Sequence, residues 1–135
     1  YDFTLSDYTF IKTLLFARIN LKDAEFRLFQ KMFGVLSQSF PNPDLLVYFH
    51  RDVDLLQKNI DKRGRKYETN ISDDYLVNVQ NSYFEYLRNM LQFPVLIIDV
   101  SNMDFLNNAS QYETLKSIMR KDYRPGVHRV SLRSE

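Results

Sequence analysis

The sequence predicts an α/β fold, a three-layer sandwich on a parallel sheet, and three observations predict it. Two runs, Asp44 to Phe49 and Val95 to Val100, are almost continuously apolar, as strands covered on both faces are. Between them lie two segments whose apolar residues recur every three or four positions, the period of an amphipathic helix. Prolines reset the chain before each run, in Pro41-Asn42-Pro43 and in Phe93-Pro94. Strands alternating with helices in this way imply parallel strands joined by crossover helices.

The elements follow in order. Asp2 to Leu5 reads as a short strand, and Tyr8 to Arg18 as helical in part. Asn20 is expected to cap a longer helix from about Lys22 to Ser39. Along it Phe26, Phe29, Phe33 and Leu36 make one core stripe, while Leu28, Met32 and Val35 make a second apolar line. That second line is either part of a broad core stripe or a face that packs on a partner. After the strand Asp44 to Phe49, Asp52 or a neighbour opens a helix to Asp61, with Val53, Leu56 and Ile60 inward. Ser72 caps the next helix, to about Leu91, with Leu76, Val79, Tyr83, Leu87 and Met90 as its stripe. Ala109 to Arg120 is the last helix. Tyr123 to Leu132 is a basic tail that is disordered, adds an edge strand, or docks on a second subunit. Residues 1–120 are read as part of a single domain and 121–135 as the tail.

Bulk composition narrows the function classes. The 135 residues suffice for one domain with a sizeable core. A net charge of +1 supplies no field to draw the chain to nucleic acid, and no run of about eighteen apolar residues offers a membrane span. Cysteine is absent, which excludes thiolate metal sites and fits a reducing, cytoplasmic setting. His50 and His128 lack partners at metal spacing, so neither a metal site nor a catalytic triad is predicted. The chain opens on Tyr1 rather than Met, and we expect it to be the C-terminal portion of a longer protein. Its three glycines, Gly34, Gly64 and Gly126, form no phosphate-cradling loop of the Gly-x-x-x-x-Gly-Lys type.

One segment carries chemistry. Lys62-Arg63-Gly64-Arg65-Lys66-Tyr67-Glu68 follows a strand and a helix directly. Two guanidiniums one glycine apart, on a loop (62–70) able to fold over a ligand, suit the oxygens of a polyphosphate. The plainer alternative is a solvated basic turn, favoured by the dipole at a helix C-terminus.

In context this segment resembles the lid of the deoxynucleoside kinase family. Pro43-Asp44-Leu45-Leu46-Val47-Tyr48 looks like the strand before the family's lid helix, and Asp74-Tyr75-Leu76 like the opening of the helix after it. Pro94-Val95-Leu96-Ile97-Ile98-Asp99-Val100, with Asp104-Phe105 beyond, looks like the last core strand and the loop beside the nucleotide base. Leu14-Leu15-Phe16-Ala17 is similar to the family's Ile-Phe-Ala helix. The resemblance implies part of a kinase fold of the phosphate-loop type, with transfer of the terminal phosphoryl of ATP to the 5′-hydroxyl of a deoxynucleoside in the presence of Mg2+. It implies that Arg63 and Arg65 act on the donor and the transferring group, and that Glu68 reaches the sugar or the acceptor hydroxyl. Asp104 and Phe105 would lie against the adenine, and the helix 22–39 would join two copies in a homodimer. The chain also departs from the family. Ser6-Asp7-Tyr8 stands where relatives carry Glu-Arg-Ser or Asp-Arg-Ser, which leaves Asp7 and Tyr8 as the expected substrate-side residues. Asp7 would either help hold magnesium through water or cap the following helix. Lys12 occupies the place of a base-reading aspartate, and Asn59 that of an arginine under the adenine, so base preference does not carry over. The alternatives are a kinase-like scaffold without catalysis and a nucleotide monophosphate kinase.

Overall fold

The computed structural model describes residues 3–132. Helices α1 (Phe10–Asn20) and α2 (Asp23–Ser37) precede strand β1 (Leu46–His50) and helix α3 (Val53–Arg63). A single 3-10 turn, Lys66–Glu68, leads to α4 (Asp73–Leu87), β2 (Pro94–Asp99), α5 (Ala109–Met119) and β3 (Gly126–Ser131). The sheet order is β1-β2-β3 and both pairings are parallel. Leu46 sits opposite Val95 and His50 opposite Asp99, while Pro94 and Asp99 face Gly126 and Ser131.

Strand alternation sends side chains to opposite faces, and both faces are covered. On one, Leu46, Val95 and Ile97 pack with Leu87, Phe93, Tyr83, Phe84 and Ile11 beneath α1 and α4. On the other, Leu96, Ile98 and Val100 pack with Met103, Leu115 and Ile118 under α5. Val95, Leu96 and Ile98 are 0% exposed, and complete burial of such a side chain is worth about 1.5–3 kcal/mol. This is the three-layer α/β arrangement predicted.

The helix starts show where local chemistry was legible. Ser72 Oγ accepts from the Tyr75 N–H at 3.2 Å, as expected of its cap, and Asn108 Oδ1 does the same for Gln111 at 3.1 Å. Asn20, in contrast, does not cap α2. It is the last residue of α1, and its amide donates to Phe16 O at 2.8 Å. The N-cap is Lys22, whose N–H donates to Glu25 Oε2 at 2.9 Å, the back-reaching half of a capping box. Helix α4 ends at Leu87, before the expected Leu91, and residues 88–89 turn the chain toward β2.

Two further expectations change. Phe3, Thr4 and Leu5 are exposed and form no strand, since among the described residues no strand pairs with them; Asp2 lies outside the described residues. Of the three fates considered for the tail, its described residues take the edge strand: β3 places Val127 against the α4-side core and Val130 against the α5-side core.

Helix α2 lies on α1 through Phe33, whose ring stacks on Phe10 at 4.6 Å, and Phe26 is buried beside it under the Arg18 guanidinium. Leu36 is 52% exposed and so leaves the predicted core stripe. The second line stays outside the core: Leu28, Met32 and Val35 are 63%, 57% and 70% exposed.

Candidate functional site

The basic segment begins as helix. α3 runs two residues past Asp61, so Lys62 and Arg63 occupy its last turn, where the dipole favours cations. Gly64 ends it with φ +64°, the left-handed cap that glycine adopts without a Cβ penalty, and its N–H donates to Ile60 O at 3.1 Å. The chain then doubles back through the 3-10 turn, closed by Glu68 N–H to Arg65 O at 2.9 Å. Gln57 Nε2 donates to Ile71 O at 2.7 Å and fastens the far end of the turn to α3.

That reversal brings three charged side chains together. Arg63 Nη2 lies 2.9 Å from Glu68 Oε2, and Arg65 Nη1 lies 3.5 Å from Glu68 Oε1. The Glu68 side chain is 12% exposed, whereas the guanidiniums are 49% and 51% exposed. Oε2 is buried and receives no aligned hydrogen bond, so the Arg63 contact is one of charge rather than of a well-formed fork. Glu68 is thus a largely buried carboxylate paired with both arginines. The fold supplies its partners by turning the chain at Gly64.

Loop 100–108 follows β2. Asp99 Oδ1 accepts from Ser101 N–H at 2.9 Å, and this backbone donor, more than the Ser101 hydroxyl or His50, holds the carboxyl below its usual range. Ser101 Oγ in turn accepts from Asp52 N–H at 3.0 Å, tying the loop to the start of α3. These groups, with His50 Nε2 at 4.0 Å from Asp52 Oδ1, sit at the C-terminal ends of β1 and β2, where open α/β sheets place ligands. Sequence reasoning passed over them, although an aspartate closing the second apolar run, with a serine two residues on, was a readable signal.

Asp104 organises the next turn. It accepts from the Asn107 side chain at 2.7 Å and from the N–H groups of Asn107 and Leu106, and these bonds, the Asn107 side chain first, lower its pKa. The Lys62 charge contributes as well, last among the causes. Phe105 is half-buried and packs on the α5-side core, so it anchors the loop.

Asp7 and Tyr8 lie elsewhere. A cleft of about 250 Å3 opens between the start of α1, β1 and α4, lined by Asp7, Lys12, Tyr48, Phe49 and Tyr83 among others. Tyr48 and Tyr83 stack at 5.1 Å. Burial, reinforced by Tyr83, pushes the Tyr48 phenol up to about 12, and burial raises Tyr83 as well, so both hydroxyls remain protonated donors at neutral pH. Asp7 is exposed on a bend, and Thr9 rather than Asp7 is the N-cap of α1. Tyr8 is 51% exposed and bonds Thr13 Oγ1. The structure therefore unites Arg63, Arg65 and Glu68, sets Asp104 and Phe105 on the neighbouring loop, and gives Asp7 a separate cleft. Among the described residues no three of His, Asp or Glu gather as a metal site.

The sequence model of a family described as deoxynucleoside kinase matches residues 4–122. The chain is 25% identical over 121 residues to a deoxyguanosine kinase of Bacillus subtilis (strain 168), covering 87% of this chain and 58% of the relative. It is 29% identical over 133 residues to a deoxyadenosine kinase of Lactobacillus acidophilus, covering 87% and 62%. A deoxyadenosine/deoxycytidine kinase of B. subtilis is 30% identical over 88 residues, covering 65% of this chain and 40% of the relative. The chain spans less than two thirds of the length of each of these three relatives.

Proposed function

The chain belongs to the deoxynucleoside kinase family, and from that premise we propose that the protein carrying it transfers the γ-phosphoryl of ATP to the 5′-hydroxyl of a deoxynucleoside. One observation carries the proposal: Arg63 and Arg65 converge on a single carboxylate at the tip of α3, so both guanidiniums already point at one anionic centre. Phosphoryl transfer needs little covalent help from the protein; it needs positioning and stabilisation of charge spread over the moving oxygens. Two guanidiniums at a glycine-hinged turn supply both. The resemblance adds Glu68 toward the acceptor sugar, and the cleft beside Asp7 and Tyr8, with its two phenol donors, as the nucleoside side. Asp104 and Phe105 would flank the donor base from the adjoining loop. Magnesium bound with the nucleotide would neutralise phosphate charge, and Asp7 would help to hold it through water. We place the reaction in the cytoplasm, which the cysteine-free composition fits. We also propose a homodimer through α2, supported by the exposed line Leu28, Met32, Val35. The same line favours a second reading, an assembly subunit without catalysis.

One substitution separates the two readings. In the protein that carries this chain, Arg65→Ala should lower kcat by roughly 10²–10⁴-fold, approaching the loss from a catalytic arginine, while nucleoside affinity changes little. Unchanged turnover would remove Arg65 from the chemistry, and no turnover in either protein would leave the assembly role.

A further inference from the structure

We propose that Glu68 is an internal counter-anion for the lid: it holds Arg63 and Arg65 in place when no polyphosphate is bound, and it is exchanged for the polyphosphate when one arrives. The inference rests on the kinase reading of these arginines, and its basis is the geometry of the turn. A carboxylate that is only 12% exposed lies 2.9 Å and 3.5 Å from two guanidiniums that are half in solvent. Left alone, two cations two residues apart would repel each other and swing apart, and their ordering entropy would fall on the ligand. Glu68 removes that cost in advance by giving both a common anionic target. The hold is not a tight one. Oε2 accepts no aligned hydrogen bond, so the strong bidentate geometry open to an arginine and a carboxylate is unused. A phosphate group offers more acceptor oxygens and more charge, and it can form the forked contacts that Glu68 leaves unmade. The 3-10 turn and the left-handed Gly64 hold the backbone while the side chains change partners. Released from the arginines, the Glu68 carboxylate turns free at the moment the donor is seated. Glu68 is therefore a positioning residue toward the donor, a role separate from any contact it makes with the sugar.

The test uses inorganic tripolyphosphate as probe and calorimetry on the protein that carries this chain. Glu68→Gln removes the competing charge, so tripolyphosphate should bind about fivefold more tightly, the scale of releasing half-exposed ion pairs. The gain should vanish when Arg63→Ala is combined with Glu68→Gln, and Glu68→Asp, which keeps the charge, should stay near wild type. Unchanged or weaker binding in folded Glu68→Gln, or a gain that survives Arg63→Ala, overturns the proposal. A second readout needs no variant: the carboxyl carbon-13 resonance of Glu68 should shift as wild type is saturated with tripolyphosphate, and a resonance that stays put overturns it equally. Neither readout requires phosphoryl transfer. A working kinase whose Glu68 does not respond refutes only the exchange, and a chain that exchanges Glu68 but transfers nothing refutes only the kinase reading.

Discussion

Tyr48 shows how burial fixes a protonation state at a single residue. Its phenol is raised to about 12 because the folded chain removes it from water beneath α4 and sets Tyr83 against it. A folded pKa above the unfolded value of 10.0 means that the protonated phenol stabilises the fold fully below pH 10 and that this contribution is lost as pH rises toward 12. Ultraviolet titration of the folded protein should therefore show late-ionising tyrosines, with the one near pH 12 lost in Tyr48→Phe while Tyr83 and Tyr86 still ionise above their ordinary value; ionisation of every tyrosine near pH 10 would contradict the burial. At this scale the sequence was legible in part. Arg63 and Arg65 could be picked out because fixed charge and spacing are written in the residues. Glu68 could be picked out through the resemblance, but its pairing with both arginines could not, because it reaches them only after Gly64 turns the chain. Asp7 too could be named but not placed: Thr9 takes the cap that Asp7 was one candidate for.

Helices and strands were more legible than their ends. The apolar runs became β1 and β2 and the periodic segments became α3 and α4, because burial on one face or two leaves a period in the sequence. What failed needed a neighbour. Phe3 to Leu5 has a strand's composition but no paired strand, and β3 became a strand because β2 offers it an edge in register. The outer line of α2 belongs to the same class, since a sequence cannot say whether an apolar stripe meets its own core or another chain. Within this chain the line lies outside the core, with Met32 57% exposed and Val35 70%. If two copies meet there, Met32→Glu should convert a dimer to a folded monomer in analytical ultracentrifugation, since burying a charge without a partner is costly. A wild type that is monomeric at micromolar concentration, or a folded variant that remains dimeric, rejects the dimer.

Across the whole molecule, three parallel strands between α1 and α4 on one face and α5 on the other place the arginine turn, the loop after β2 and the Asp7 cleft around the same sheet. The layer order was readable because βα alternation admits few arrangements. The joining of the loop to α3 through Ser101 and Asp52 was not, since it depends on where strand ends fall in three dimensions. The central claim is that this frame serves phosphoryl transfer to a deoxynucleoside. The most direct measurement follows γ-labelled ATP with each of the four common deoxynucleosides, in the protein that carries this chain and in its Arg63→Ala/Arg65→Ala double variant. A labelled 5′-monophosphate is expected from at least one nucleoside, with its near-complete loss in the folded double variant. Labelled product at an equal rate from both proteins, or from neither while the wild type is folded and binds ATP, would contradict it.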